Sequence, residues 1–336
     1  MTFKIPHLIH TLILALLISS CQTKKDTIPE IDTTINTTIS LTGLPTFNAD
    51  SAFSFIEKQV EFGPRVSNSK AHAQCAMWMV QYFKNYCDTV IVQEANLKAF
   101  NNTILKSKNI IASFNPSASK RILLSAHWDT RPFADQDSKN QNKPIDGAND
   151  GASGVAILME LAKAISTQKT SIGIDIILWD AEDYGQPQNS GFPEMKDSYC
   201  LGSQYWAIHP HRPNYTAVWG INLDMCGAIN ATFTKEQQSM YYAGGLMDRV
   251  WLNAANLGYG SIFQNKMGDG IIDDHVYINT MAHIPTIDII HRTENTNSGF
   301  GTYWHTHNDN LKSIDKNVLR AVGETLLYTI YEEDKY

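Results

Sequence analysis

The sequence predicts a single doubly wound α/β domain, with a central, mostly parallel mixed sheet flanked by helices on both faces. Three observations carry that expectation. Short apolar runs take turns with longer segments of helical spacing, the alternation that crossover connections turn into a parallel sheet. Two of the runs, RILLSAHWD and GIDIILWD, are too continuously apolar for strands with a solvent face. A chain of 336 residues, 43% of them hydrophobic and 10% aromatic, can bury one large core.

Along the chain, residues 1–20 carry one lysine and then an apolar stretch too short for a comfortable membrane span, followed at once by Cys21. They read as a signal peptide. The small residues of ISSC resemble a bacterial lipobox, which implies cleavage before Cys21, diacylglycerol on its sulfur and an exported, lipid-anchored protein facing the periplasm. The alternative is an ordinary signal peptide with a coincidental cysteine. Residues 21–49, rich in Thr, Asn and Ile without helical period, read as a tether, so the catalytic-size domain is expected over 50–336.

Apolar spacing predicts helices over 50–62 and 71–86, with Asp50 or Ser51 as a cap for the first. Strands are predicted over 89–100, 104–115 and 121–129. The order then runs helix 151–165, strand 173–180, helix 198–209, strand 217–227, helix 240–256, strand 284–290 and helix 318–333. Two long polar loops, 131–150 and 185–197, adjoin strand ends, where functional loops lie.

The formal charge of -7 and pI of about 5.9 come from acids spread along the chain, with no basic stripe for nucleic acid. Cys75 and Cys87 fall twelve residues apart on one predicted helix, about 18 Å at 1.5 Å per residue, too far for a disulfide. Cys200 and Cys226 lack CxxC spacing, so no thiolate zinc site is suggested, and a bridge between these two stays open.

The polar residues following the apolar runs are His127 and Asp129, Asp150, Glu182 and Asp183, Asp224, Asp273 with Asp274 and His275, and His305. Strand ends that deliver only carboxylates and imidazoles to one rim offer a ligand set suited to catalytic zinc. A single instance, such as Asp150 before GASGVA, could be a helix cap; the recurrence favours a site.

In order, HWD, GANDGASG, ED, LDMCG and HTHND resemble the motifs of the zinc exopeptidase-like M28 superfamily and, more closely, its glutaminyl cyclase branch, over roughly residues 50–334. The resemblance implies that Asp150, Asp183 and His305 bind zinc and that Glu182 is the general acid/base. Many relatives have Glu at the Asp183 position; Asp keeps the charge and ligand type but is one methylene shorter. Two enzymes fit this frame. An aminopeptidase would hold a second zinc on His127 and Asp224 with Asp150 bridging, whereas the cyclase branch keeps the matching His and Asp and binds one zinc.

Three features lean toward the cyclase, which converts N-terminal glutamine of peptides and proteins to pyroglutamate with release of ammonia. Trp304 directly precedes His305, and Phe300 lies four residues earlier, matching pocket aromatics of the cyclases. IIDDH resembles a cyclase segment whose first Asp, here Asp273, joins an acidic hydrogen-bond network with the residue matching Asp224. Ile272 departs from the polar residue found there in animal relatives. Asp129 reads as a carboxylate that orients the His127 imidazole or as a further metal ligand. The expectation is therefore a monomeric, lipid-anchored glutaminyl-peptide cyclotransferase with one zinc per chain. The alternatives are a dinuclear aminopeptidase and a surface lipoprotein that binds peptides without catalysis.

Overall fold

A computed structural model describes residues 1–2 and 41–335. The chain divides into a short unit, Met1–Asn36, and a large one, Thr37–Tyr336. Only two residues of the short unit are described, so the signal peptide and Cys21 lie outside the described residues, as does the tether up to residue 40. Among the described residues no helix is long and apolar enough to cross a membrane. Packing begins inside the segment read as tether: Phe47 is buried, and its ring lies where a Cβ at Gly323 would stand.

The large unit is built on a six-stranded sheet in the order β1 (Thr89–Lys98), β2 (Ile104–Phe114), β4 (Gly173–Trp179), β3 (Arg121–His127), β5 (Gly220–Asp224), β8 (Thr286–Ile290). β1 and β2 form an antiparallel hairpin, and β2 runs antiparallel to β4. The other four strands are mutually parallel, so the sheet is mixed and mostly parallel, as expected. Successive side chains of a strand point to opposite faces. Ile122, Leu124 and Ala126 of β3 and Ile174, Ile176 and Leu178 of β4 accordingly pack into the larger core, while Leu123, Ile177 and Trp179 pack into a second.

The larger core is covered by α1 (Ala49–Glu61), α2 (Lys70–Lys84), α3 (Ala152–Thr167), α5 (Gln237–Asn256) and α7 (Lys316–Glu333). The second core lies under α4 (Leu201–Ile208) and α6 (Asp274–Thr280). α3 is buried almost all round, and Gly154 allows its approach, because a Cβ there would stand 2.7 Å from Leu223 O and 2.9 Å from Ala126 Cβ.

Four short elements were not predicted: β6 (Phe233–Lys235), its parallel partner β7 (Phe263–Met267), α6, and a 3-10 helix at Leu311–Ser313. Each is too short, or too exposed in the case of β7, to leave a periodic apolar pattern. No bridge joins Cys200 to Cys226; both thiols are free and buried.

Candidate active site

The parallel register brings strand ends level. His127 pairs with Trp179, and Ser125 pairs with Asn222, which puts His127 beside Asp224. Three of the expected rim positions are true strand ends: His127 closes β3, Glu182 and Asp183 follow β4, and Asp224 closes β5. Asp273 is different. It is the N-cap of α6, and its side chain accepts from Asp274 N at 2.6 Å. His305 is not at a strand end either; it lies in the loop after β8 with φ of 53°. A cap and a left-handed loop residue thus complete a rim that strands alone were expected to build.

The adjacent pair Glu182 and Asp183 is splayed by a buried turn. Asp180 accepts the amide of Ala181 at 2.7 Å, and Ala181 adopts φ of 56°. The amides of Glu182 and Asp183 then donate to the two oxygens of Asp129, at 3.0 and 3.2 Å. Asp129 therefore holds the turn that carries both acids, and its nearer oxygen lies 3.7 Å from His127 Nδ1. Asp150 is placed similarly: Asp309 accepts the amides of Asn149 and Asp150 at 2.8 and 3.0 Å. Gly151 leaves room for His127, whose carbonyl would meet a Cβ there at 2.5 Å.

Asp150, Asp183 and His305 offer ligand atoms within 4.8 Å of one another, all buried. His305 Nε2 lies 3.3 Å from Asp183 Oδ1 and 4.0 Å from Asp150 Oδ2. Its Nδ1 lies 3.2 Å from Asp135 Oδ1, so a carboxylate backs the imidazole as in many metal sites. Asp183 Oδ2 is buried without a hydrogen-bond partner. Two carboxylates, one imidazole and an orphaned carboxylate oxygen fit a zinc ion.

A second group, His127, Asp150 and Asp224, also lies within 4.8 Å. There His127 Nε2 contacts Asp150 Oδ1 at 2.9 Å and Asp224 Oδ1 at 3.2 Å. Glu182, Cys200 and Asp273 form a third, with Cys200 Sγ 3.4 Å from Glu182 Oε1 and 3.8 Å from Asp273 Oδ1. Asp273 and Asp224 were expected to share a network. The hydrogen bond of Asp273 Oδ2 goes to Asn222 Nδ2 at 3.0 Å, which also reaches Asp288 Oδ1 at 3.3 Å.

So many buried acids distort one another. Burial, with the charges of Asp183, Asp273 and Asp274, pushes Glu182 well above the usual carboxylate range, against the pull of His127. Burial and the charge of Asp150 push Asp183 up to about 6 and Asp224 up to about 7. Burial raises Asp150 too, but the hydrogen bond and charge of His127 outweigh it and hold it low.

Trp304 stacks on His305 with ring centroids 3.9 Å apart, and Phe300 lies 4.7 Å from Trp304. Both rings line a cavity of about 270 Å³ together with Asp150, Glu182, Asp183 and Asp224. Trp128 is fully buried and stacked on His72, 4.3 Å away. Sequence reasoning missed Arg131, buried and donating to the carbonyls of Asp183 and Gly185 at 2.9 Å each. It also missed Asp135, Asp309 and Cys200. A buried arginine in a polar loop carries no pattern to find; Asp309, in HTHND, was within a quoted motif but given no role.

Comparison with known proteins agrees with this geometry. The structure of Tannerella forsythia glutaminyl cyclase is 51% identical, with a TM-score of 0.84 over 85% of this chain and 99% of that one. That of a Zn-dependent exopeptidase from Parabacteroides distasonis is 49% identical, with a TM-score of 0.84 over 86% of this chain and 99% of that one. Glutaminyl-peptide cyclotransferase of Bos taurus is 26% identical over 252 residues, 67% of this chain; the chain spans 65% of the length of that curated relative. The profile of peptidase family M28 matches residues 109–330, a span that includes all three ligand groups and both cavity aromatics, and the chain belongs to peptidase family M28.

Proposed function

We propose that the protein is a zinc-dependent glutaminyl-peptide cyclotransferase acting on peptides and proteins with N-terminal glutamine. The observation that carries this reading is one cavity holding a three-donor zinc group, a neighbouring acid of raised proton affinity, and an indole stacked on the histidine donor. The likeness to the Tannerella forsythia glutaminyl cyclase supports it. Asp150, Asp183 and His305 would hold one zinc ion, which supplies Lewis acidity toward the γ-carbonyl oxygen when bound.

Glu182 takes one proton from the substrate α-amine as that nitrogen bonds to the side-chain amide carbon. It returns the proton to the amide nitrogen as the old C–N bond breaks, so ammonia leaves and pyroglutamate remains. Raised proton affinity suits a group that must accept and then give. The charge of Asp273 helps to raise it, and Asp224 lines the same cavity. Phe300 and Trp304 wall the glutamine side chain and exclude water, which the near-intramolecular attack does not need.

A dinuclear zinc aminopeptidase is the second reading, favoured by the closeness of His127, Asp150 and Asp224. The indole stacked on His305 and the likeness to the Tannerella forsythia glutaminyl cyclase support the cyclase reading instead. On the ISSC motif we further propose export, lipidation at Cys21 and attachment to a bacterial membrane facing the periplasm, with the enzyme monomeric. Mass spectrometry of a Gln-initiated peptide incubated with purified protein, beside a Leu-initiated control, tests the activity. Loss of one ammonia from the first alone is expected; loss of the whole first residue would make it an aminopeptidase.

A further inference from the structure

The cavity narrows onto groups that are almost wholly buried: Asp183 is 1% exposed, and Asp150 and His305 are 3% exposed. Ile272 lines the same cavity and is 67% exposed, so it stands at the mouth. An isoleucine left in water at the entrance is not the collapse of a loose loop. The amide of its neighbour Ile271 donates to Glu236 Oε1 at 2.9 Å, and on the other side Asp273 is fixed as the cap of α6. Glu236 is itself held by the amides of Gln238 and Ser239, at 2.8 and 2.6 Å. The apolar surface is therefore presented rather than tucked away, and the mouth continues it with Ile271 and Phe300.

Five carboxylates line the cavity, those of Asp150, Glu182, Asp183, Asp224 and Asp273, and no lysine or arginine does. With Asp150 and Asp183 answered by the zinc they would hold, the lining still offers an entering acidic side chain no lysine or arginine to pair with, the nearby Arg292 being over the Phe300 ring at 4.4 Å from its centroid. If glutamine occupies the buried end, the next residue of the peptide is the first to reach the mouth.

We infer that Ile272 is a specificity-determining residue that receives the side chain following the N-terminal glutamine, so that the enzyme favours an apolar residue there over an acidic one. This rests on the cyclase reading above.

The test measures kcat/KM for ammonia release from Gln-Phe and Gln-Asp peptides otherwise identical, with the parent protein, Ile272→Asn and Ile272→Lys. The parent is expected to favour Gln-Phe by about tenfold or more, the scale of discrimination an apolar contact supplies. Ile272→Asn should reduce that ratio several-fold, chiefly through KM for Gln-Phe, and Ile272→Lys should reduce it further by improving Gln-Asp. A denaturation midpoint for each variant checks that it folds, and because Ile272 is exposed both variants should keep the parent midpoint. A parent ratio near one, or a ratio that neither substitution changes, overturns the inference while the cyclase reading stands. No ammonia from either peptide with the parent protein overturns both.

Discussion

Glu182 and Asp183 are neighbours in sequence with separate tasks, and what separates them is a turn held by one carboxylate. Asp183 faces His305, while Glu182 lies near Cys200 and His127. Glu182→Gln keeps shape and removes the proton carrier, so zinc content by metal analysis should be unchanged while ammonia release falls by about 10²–10⁴-fold. Retained turnover would show that another group moves the proton. Asp129→Ala makes a different prediction, because Asp129 reaches the zinc group only through the backbone amide of Asp183 and is not one of its three donors. Two buried amides lose their acceptor, and the expected result is zinc affinity weakened by about 10–100-fold, read by competition with a chelator.

At the scale of elements, the site depends on α3 lying close against β3 and β5, because Asp150 stands directly before that helix and His127 and Asp224 close those strands. Gly154→Val would drive a side chain into Leu223 O and Ala126. It should cost about 1–3 kcal/mol, visible as a lower urea midpoint with an unchanged slope. The buried strands were legible because both faces are covered, which leaves an unbroken apolar run, and α3 and α7 were legible from their length and spacing. What was not legible shares a cause. Asp273 depends on a seven-residue helix too short to show a period, and His305 on a left-handed loop residue that is not glycine. Both side chains nonetheless line the cavity that also holds Asp150, Glu182, Asp183 and Asp224.

Across the whole molecule, two buried histidines fold in the wrong charge state for low pH. Burial, reinforced by the nearby charges of Arg212 and Arg121, pushes His211 down to about 4, against the pull of Asp175. Burial and Arg292 do the same to His291. His211 Nδ1 accepts from Trp206 Nε1 at 3.1 Å, a bond that needs a neutral ring, and His291 Nδ1 shares a hydrogen bond with the Tyr303 hydroxyl at 2.6 Å. An unfolded histidine binds its proton near pH 6.5, so between 6.5 and 4 the unfolded chain holds more protons than the folded one. Stability from these two groups is therefore present above 6.5, is lost as pH falls through that window, and is gone below about 4. The buried carboxylates of the site push the other way, since Asp183 and Asp224 are raised to about 6 and about 7. Parent and variant share those acids and His211, so their difference isolates His291. Urea denaturation of the parent and of His291→Gln at pH 7 and pH 4.5 should show the parent losing about 1–3 kcal/mol more than the variant on acidification. An equal loss in both would mean that His291 takes up its proton in the folded protein as readily as in the unfolded chain.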